Sequence, residues 1–290
     1  MTRRYEKMFI DLKKKNEGAF IPFVVLGDPN PEESEAILGT LIEAGADALE
    51  LGIPFSDPVA DGPVIQAADN RALESGASTD VCLAIIARVR EKYRDIPIGL
   101  LVYANLVLRG GIDNFYTRSA ESGVDSVLVA DIPAAASKPF SDAAIKAGID
   151  PVYIVPPNAD DEKLPEIAAL SKGYTYFLGR LGVTGTDREM ETPASSRVEI
   201  LKNAGAPPVV VGFGISRPEH VRAALDAGAD GAIAGSAMVN IIAGNLGNPK
   251  KTREDLSAFV RAMKAATGLK IAGEVDYSAR VWFSRRGIRP

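Results

Sequence analysis

The sequence predicts an α/β fold in which a single (β/α)8 barrel, the TIM barrel, follows an extra N-terminal helix. Eight short apolar runs alternate with amphipathic segments, one junction motif recurs along the chain, and no composition break divides the 290 residues. Strict alternation of strands and helices forces parallel pairing through right-handed crossovers. An open doubly wound sheet would satisfy the same alternation, but eight units and no Gly-rich fingerprint after the first strand favour a closed barrel.

The predicted elements follow in chain order. Residues 1–18 carry apolar residues only at helical spacing, so we expect the extra helix there. The eight predicted strands cover residues 21–26, 48–52, 96–102, 125–130, 151–155, 174–178, 208–212 and 231–235. Amphipathic helices with early acidic residues are expected between them, for example at residues 31–44, 79–93, 161–172 and 217–227.

A short motif marks four junctions between a helix and the next strand. It reads EAGADALEL from Glu43, ESGVDSVLV from Glu121, KAGIDPVYI from Lys146 and DAGADGAIA from Asp226. In each copy we expect the helix to end at a glycine in the left-handed conformation, which costs other residues steric strain. An aspartate then precedes the strand.

The barrel is expected to be one catalytic domain over residues 1–267, because no linker interrupts this stretch. The last predicted helix ends near Thr267. Residues 268–290 form a more basic C-terminal tail that holds the only tryptophan, and we leave this tail outside the fold prediction.

Composition limits the partners and the compartment of the protein. A net charge of −5 and a pI near 5.2 argue against a nucleic-acid partner, because such proteins concentrate Lys and Arg on a basic face. No segment is long and apolar enough to span a bilayer, and the N terminus lacks the apolar core of a signal peptide. The single cysteine, Cys82, fits a buried helix position and can form no intramolecular disulfide. We therefore expect a cytoplasmic protein with small-molecule ligands.

Glu50 is the most unusual residue in the predicted strands. It lies between Leu49 and Leu51, so if the leucines pack on the helices, Glu50 faces the barrel axis. Burial raises the pKa of a carboxyl group, which suits a general acid and base near neutral pH. The alternative is a structural carboxylate paired with a buried cation or amide. No Lys lies at the carboxyl end of a predicted strand to be that partner.

Asp61 lies in the loop after the second predicted strand, whose prolines, glycines and aspartates exclude helix and strand. An acidic residue in such a loop is often only a solvated turn residue, and Asp57 has the same interpretation. In a TIM barrel, however, this loop crosses the end where ligands bind. There, Asp61 is well placed to accept a hydrogen bond from a substrate N–H.

Two glycine clusters predict a phosphate site. VGFGIS follows the seventh predicted strand and IAGSAM follows the eighth, and each opens a helix whose unpaired backbone N–H groups face the barrel mouth. Phosphate binding after these two strands recurs in TIM barrels. A tight turn explains either cluster alone, but together with GVTGT after the sixth predicted strand they converge on one corner.

The reactive residue types restrict the chemistry. The only histidine, His220, falls on the helix after the seventh predicted strand, where a solvated side chain is expected. This inventory excludes a zinc site and a Ser-His triad, and without a strand-end Lys it disfavours a Schiff-base aldolase. It also opposes a sugar-phosphate isomerase or epimerase, which typically needs a metal with His ligands or a His–Glu pair. Carboxylate acid–base chemistry on a phosphorylated substrate remains, with no metal.

A series of motifs is more specific than these features. They are LGDP at Leu26, ELGIPFSDPxADGPxIQ from Glu50, YANL at Tyr103, VADIP at Val129, PPNAD at Pro156, GVTG at Gly182, GFGIS at Gly212 and GSA at Gly235. In order and spacing the chain resembles tryptophan synthase alpha subunits over about residues 3–267. The resemblance implies a carbon–carbon lyase of L-tryptophan biosynthesis. Such an enzyme cleaves indole-3-glycerol phosphate to indole and glyceraldehyde 3-phosphate by carboxylate acid–base retro-aldol chemistry.

The resemblance also implies roles for individual residues. Glu50 would be the acid and base that protonates indole C3, and Asp61 would hold the indole N–H and stabilise the indolenine cation. The implied substrate-binding residues are Phe23, Leu101, Leu128, Tyr176 and Phe213 around the indole, Thr184 in a mobile loop that closes on Asp61, and Gly185, Gly214, Gly235 and Ser236 at the phosphate. No metal or organic cofactor is implied in this chain.

A protein partner is implied as well. The family docks the barrel mouth on a pyridoxal-phosphate beta subunit in an α2β2 heterotetramer and passes indole through a tunnel. We expect Pro54, Asp57 and Pro58 at this interface, because their loop is too rich in proline to join the sheet. An active-site cover without a partner is the alternative interpretation of this loop. A non-catalytic subunit that only activates a partner is a further alternative, which the retention of Glu50 and Asp61 opposes.

One departure from the family pattern falls in the predicted gating loop. GRLGVTG has Gly179 and the bulky Leu181 where the family commonly has Ser and a smaller residue. We expect this change to affect the rate of loop closure more than the chemistry, because Arg180, Thr184 and Gly185 are retained.

Overall fold

The computed structural model describes residues 3–156, 159–179, 194–212 and 214–268, and its strands form one parallel sheet. In chain order the strands are β1 (Ala19–Val25), β2 (Leu49–Gly52), β3 (Ile98–Val102), β4 (Ser126–Val129), β5 (Asp150–Pro151), β6 (Tyr153–Val155), β7 (Thr175–Leu178), β8 (Val209–Gly212) and β9 (Gly231–Ala234). Their spatial order is β5-β4-β3-β2-β1-β9-β8-β7-β6.

The sheet closes into a barrel within one short stretch of chain. β5 pairs with β4, β6 pairs with β7, and only Val152 separates β5 from β6 in sequence. The N–H of Val152 donates to the carbonyl of Val127 at 3.0 Å, which continues the β4 ladder up to the break. The fifth predicted strand is therefore two segments that share one position in the barrel. This closure confirms the predicted TIM barrel.

Helices surround the barrel in the order that the sequence predicts. They are α1 (Arg4–Lys14), α2 (Pro31–Glu43), α3 (Pro63–Glu74), α4 (Thr79–Lys92), α5 (Ala104–Leu108), α6 (Ile112–Glu121), α7 (Lys138–Ala147), α8 (Leu164–Leu170), α9 (Ala194–Asn203), α10 (Pro218–Asp226), α11 (Ser236–Gly244) and α12 (Pro249–Ala265). Short 3-10 helices cover Ala134–Ala136 and Asp161–Lys163. Among the described residues, none of these helices has the length and apolar character needed to cross a membrane.

The four repeated junctions have the predicted conformation. The φ angle is 105° at Gly45, 92° at Gly123, 80° at Gly148 and 94° at Gly228. At three of the junctions the following aspartate, Asp47, Asp125 or Asp230, accepts a hydrogen bond of 2.8 or 2.9 Å from a backbone N–H of the preceding strand. The aspartates thus join neighbouring strands at the amino ends of the barrel, away from the predicted site.

One row of residues on neighbouring strands contains Glu50, the predicted acid and base. The strand register places Phe23, Glu50, Gly99 and Ser126 side by side across β1 to β4. The leucines that flank Glu50 are fully buried on the opposite face of β2, against the surrounding helices. Glu50 therefore points into the barrel, as predicted.

The described residues end at Gly268, so the predicted tail lies outside them apart from this first residue. The N–H of Gly18 donates to the carbonyl of Thr267 at 2.9 Å, which places the end of α12 beside the start of β1. The domain boundary at residue 267 stays a prediction.

Candidate active site

A cavity of about 1110 Å³ opens at the carboxyl ends of the strands. Its wall includes seven of the predicted site residues, which are Phe23, Asp61, Leu101, Tyr176, Gly214, Gly235 and Ser236. The cavity also extends outside the barrel wall, to Phe140 on α7 and Ile167 on α8. Most of the predicted site therefore comes together from separate parts of the chain.

Glu50 does not line this cavity, but it lies beside the lining residue Phe23 in the strand register. Glu50 is only 1% exposed, and the hydroxyl of Tyr174 donates to its Oε1 atom at 2.6 Å. Its Oε2 atom has no hydrogen-bond partner among the described residues. Tyr174 directly precedes β7, two residues below the cavity residue Tyr176, so the carboxyl group points toward the amino end of the barrel.

Burial determines the acidity of Glu50. It raises the pKa of this carboxyl group to about 7, and the hydrogen bond from Tyr174 opposes the rise only in part. In the part of the chain that the structure describes, the carboxylate pairs with the hydroxyl of Tyr174 and with no buried cation or amide. A carboxyl group of this acidity can both give and take a proton near neutral pH.

Asp61 lies at the rim of the same cavity. The hydroxyl of Tyr103 donates to its Oδ2 atom at 2.7 Å and accepts from the N–H of Ala60 at 3.1 Å. The ring of Phe55 stacks on Tyr103 with centroids 5.2 Å apart. Burial raises the pKa of Asp61, while the hydrogen bond from Tyr103 lowers it. Tyr103 therefore organises the loop that carries Asp61.

Asp69 interacts with the charge of Asp61 on one side and with that of Asp28 on the other. Asp69 on α3 is buried, and its pKa is raised to about 7, first by burial and then by the charge of Asp61. Asp28 accepts two hydrogen bonds of 2.8 Å from the guanidinium group of Arg71 and so ties β1 to α3. Asp61 is the one of these three carboxylates that lines the cavity.

The predicted phosphate end of the cavity is formed by the segments after β8 and β9. Gly214 has a φ angle of 75° and is exposed to the cavity, where a Cβ atom would meet nothing within 4 Å. Gly235 precedes α11 and Ser236 is its first residue, so the unpaired N–H groups of this helix start at the cavity wall. This arrangement suits an anionic group.

The apolar part of the cavity agrees with most of the predicted indole pocket. Phe23, Leu101 and Tyr176 line it. Leu128 pairs with Leu101 in the register and is buried, but it does not form part of the cavity wall. The predicted residues Thr184, Gly185 and Phe213 lie outside the described residues.

Sequence reasoning missed the partners of the two carboxylates. Tyr174 lies in no motif, and Tyr103, at a strand end and in the YANL motif, was not predicted to be a partner of Asp61. A tyrosine near a strand end is the one available signal, and it is weak because tyrosines are common in cores.

His220 is half-buried rather than solvated, and its Nδ1 atom accepts from the N–H of the cavity residue Ser216 at 3.2 Å.

Comparison with known proteins decides the family. The sequence model of the family described as tryptophan synthase alpha chain matches residues 9–268. The chain belongs to this family.

Individual relatives agree over nearly the whole length of the tryptophan synthase alpha chain. The one from Vibrio parahaemolyticus is 54% identical over 264 residues, which are 91% of this chain and 98% of that protein. The crystal structure of tryptophan synthase subunit alpha from Legionella pneumophila matches with a TM-score of 0.82 and 30% identity, over 92% of this chain and 99% of that one. A tryptophan synthase complex from Pyrococcus furiosus matches with a TM-score of 0.75 and 35% identity, over 86% and 98% of the two chains.

As a tryptophan synthase alpha chain, the protein is a lyase of tryptophan biosynthesis. It cleaves indole-3-glycerol phosphate to indole and glyceraldehyde 3-phosphate.

Substitution of Gly214 by Val is expected to weaken the binding of glycerol 3-phosphate at least about tenfold, because the side chain enters the cavity beside the helix-terminal amides. Affinity for indole should change less. Isothermal titration with both ligands measures the two effects.

Gly76→Val is the matched control for Gly214→Val. Gly76 also has a positive φ angle, 91°, and open space around its Cβ position, but it does not line the cavity. Both substitutions carry a backbone strain of about 1–2 kcal/mol. Equal loss of both ligands in the Gly214 variant, or phosphate loss in the Gly76 variant, would contradict the assignment.

Proposed function

We propose that Glu50 and Asp61 perform the cleavage of indole-3-glycerol phosphate in the cavity at the barrel mouth. The single observation that carries this proposal is a buried carboxyl group with a pKa of about 7, which lies beside Phe23 of a cavity that a second carboxylate lines. The two groups take different roles, because Glu50 is poised to exchange a proton and Asp61 faces the ligand space.

In the proposed reaction Glu50 first gives a proton and then takes one back. Protonated Glu50 gives its proton to indole C3, and Asp61 holds the indole N–H and stabilises the indolenine cation that forms. The Glu50 carboxylate then takes the proton of the adjacent side-chain hydroxyl as the bond from C3 to the glycerol phosphate chain breaks. The electron pair of the broken carbon–carbon bond returns to the indole ring. The products are indole and glyceraldehyde 3-phosphate. Because Glu50 does not form part of the cavity wall, its side chain must turn from Tyr174 toward the substrate.

The remaining residues are proposed to bind the substrate. Gly214, Gly235 and Ser236 hold the phosphate through backbone N–H groups, and the resemblance adds Gly185 to this set. Thr184 is proposed to contact Asp61 on closure. Phe23, Leu101 and Tyr176 enclose the indole, and Leu128 supports this pocket from behind the cavity wall. The resemblance adds Phe213 to the same pocket. We propose that the cleavage uses no metal and no organic cofactor in this chain, because His220 and Cys82 are the only residues of their types in the sequence.

Direct measurement of indole release from indole-3-glycerol phosphate tests this function. Purified protein should form indole and glyceraldehyde 3-phosphate in equal amounts and retain activity after dialysis against a chelator. Absence of indole at saturating substrate, with or without a partner subunit, would overturn it.

We further propose that the protein works in the cytoplasm with a pyridoxal-phosphate tryptophan synthase beta subunit in an α2β2 complex. A groove of about 480 Å³ lies beside the barrel mouth, between Pro54–Ser56 and the apolar residues Leu106 and Leu108 of α5. Val59 in the same loop is 83% exposed and Leu108 is 50% exposed. Exposed apolar side chains around a groove are typical of a protein interface.

The same loop links the groove to the catalytic site. Pro54 is buried, Pro58 is half-buried, and Asp57 is exposed and accepts a hydrogen bond from Ser56 at 2.5 Å. Asp61 follows Pro58 by three residues in the same loop. A partner that binds this loop therefore also acts on a proposed catalytic residue. The matching Pyrococcus furiosus structure is a tryptophan synthase complex, which supports a partner of this kind.

Addition of the beta subunit is expected to raise the rate of indole release. Leu108→Asp should raise the beta-subunit concentration that gives half of this activation at least about tenfold, because the substitution places a charge at a desolvated contact. Pro58→Gly should lower the maximal activation by relaxing the loop. A titration of each variant with beta subunit measures both effects.

Ile145→Asp is the matched control, since Ile145 on α7 is also 50% exposed but lies away from the groove. An activation curve for Leu108→Asp that superimposes on that of Ile145→Asp would show that this groove is not the docking site.

A further inference from the structure

Helix α1 inserts one aromatic ring into the amino end of the barrel. Tyr5 is 1% exposed, and its ring lies 5.4 Å from the ring of Tyr174 at an interplanar angle of 47°. The hydroxyl of Ser126 donates to the Tyr5 hydroxyl at 3.1 Å. Arg4 pairs with Asp125 at 2.7 Å and fixes the helix against the strand that carries Ser126. Tyr5 is thus held from both the helix and the sheet.

Gly99 provides the space for the Tyr5 hydroxyl. It lies between Glu50 and Ser126 in the row of residues that face the barrel interior. A Cβ atom at Gly99 would stand 2.8 Å from the Tyr5 hydroxyl oxygen and 2.7 Å from Ser126 Oγ, both too close for a real contact. The tyrosine of α1 therefore occupies the position beside Glu50 that a side chain at residue 99 would fill.

Tyr174 connects this ring to the catalytic carboxylate. Its ring packs against Tyr5, and its hydroxyl donates to Glu50 at 2.6 Å. The direction of that hydroxyl is determined by where the Tyr174 ring lies. A fully buried ring with close neighbours has little freedom to move while those neighbours stay in place.

We propose that Tyr5 is a positioning residue for the reaction, which acts through Tyr174 to fix where the Glu50 carboxyl group rests and how strongly it is hydrogen-bonded. The inference rests on the proposed acid–base role of Glu50. It assigns a role in catalysis to the N-terminal helix, which lies at the end of the barrel opposite to the substrate.

The ionisable groups around Glu50 determine whether a change in the pH profile can be assigned to Glu50. The hydroxyl of Tyr174 contacts it, and Tyr5 and Tyr176 are close enough to interact with its charge. Burial raises the pKa of each of these tyrosines above the range in which Glu50 titrates. Beyond Tyr5 lie Asp125 and Arg90, which pair with each other at 2.7 Å. Glu50 is therefore the group that changes charge near neutral pH within this described cluster.

The test is the pH dependence of kcat/KM, which reports groups of the free enzyme. Tyr174→Phe removes the donor to the Glu50 carboxylate, so the apparent pKa of Glu50 should rise by about one unit, the usual scale of a hydrogen bond to a charged group. Tyr5→Leu should shift it in the same direction, while Tyr5→Phe, which keeps the ring, should stay near wild type. In the Tyr174→Phe background, Tyr5→Leu should add no further shift.

Phe20→Leu is the matched control for lost packing. Phe20 is a fully buried ring on β1 that is separate from this row, so its loss should lower the melting temperature without a shift in the pH profile. The ionisation of the substrate is the same with every variant, so it does not contribute to the difference between their pH profiles. The proposal is wrong if Tyr5→Leu leaves the profile unchanged, shifts it downward through hydration of Glu50, or shifts it equally in both backgrounds.

Gly99→Ala tests the same contact without emptying the core, should Tyr5→Leu fail to fold. Its methyl group should displace the Tyr5 hydroxyl and raise the apparent pKa of Glu50 as Tyr5→Leu does. The double variant Gly99→Ala with Tyr5→Phe removes the displaced oxygen and should return the profile toward wild type. Failure of this restoration would overturn the role of Tyr5. Loss of indole release in Glu50→Gln tests the acid–base role itself, so the two ideas can fail separately.

Discussion

Replacement of Glu50 by Gln is expected to lower kcat for indole release by at least about a hundredfold, the usual scale of general acid–base catalysis. The amide has nearly the same shape as the carboxyl group and can still accept the hydrogen bond from Tyr174, but it cannot give a proton to indole C3. Binding of glycerol 3-phosphate should be unchanged, because the phosphate end of the cavity is built from Gly214, Gly235 and Ser236. Steady-state kinetics and titration calorimetry measure the two effects, and near-normal turnover would remove Glu50 from the mechanism.

The pH dependence of stability, compared between wild type and Glu50→Gln, tests whether Glu50 is buried as a neutral acid. The pKa of Glu50 is raised to about 7, so the folded protein holds this proton while the unfolded chain has lost it. The resulting stabilisation is fully present below the unfolded pKa and is lost as the pH rises through about 7. Gln carries no such proton, so the gain in thermal stability of Glu50→Gln over wild type should grow between pH 5 and pH 8. An equal difference at both pH values would mean that Glu50 is not buried as a neutral acid.

The barrel was predictable because its signals are local. A helix must end where Gly45 or Gly228 takes a left-handed conformation, and the aspartate that follows has a backbone N–H to accept from on the neighbouring strand. The direction of Glu50 follows from the alternation of side chains along a strand, which needs only its two neighbours in sequence. The glycine conformation and the direction of Glu50 do not depend on distant parts of the chain, whereas the aspartate hydrogen bonds join residues 27 or 21 positions apart.

The partners of the carboxylates were not predictable in the same way. Tyr174 is 124 residues from Glu50, and Tyr103 is 42 residues from Asp61. Each pair forms only after strands from different parts of the chain take their places around the barrel. Tyr5 enters from a helix outside the eight repeated units, so neither periodicity nor motif spacing indicates that its ring reaches the level of Glu50.

The break in the fifth strand has a related cause. Residues 151–155 are continuous in sequence and apolar enough to predict one strand. Pro151 has no N–H to donate, and the chain changes its partner from β4 to β7 at Val152. Such a change of partner depends on the closure of the whole barrel, which a pattern of apolar residues does not reveal.

Replacement of Asp61 by Asn is expected to lower kcat by at least about a hundredfold, the scale of losing one preorganised group at a developing charge. The amide oxygen of Asn can still accept a hydrogen bond from the indole N–H, so KM should rise less than kcat falls. The lost negative charge is the one that stabilises the indolenine cation. Single-turnover kinetics separate cleavage from substrate binding, and a variant that loses only affinity would assign Asp61 to binding.

Tyr103→Phe distinguishes the charge of Asp61 from its position. Its hydroxyl donates to Asp61 and lowers the pKa of that carboxyl group against the effect of burial, so its removal should raise this pKa. Asp61 must be ionised to stabilise the cation, so activity should be lost at a higher pH on the acid side in Tyr103→Phe than in wild type. The Asn variant should lack this part of the acid limb, because it has no carboxyl group at residue 61. An acid limb that is the same in all three proteins would show that the charge of Asp61 does not act in the cleavage step.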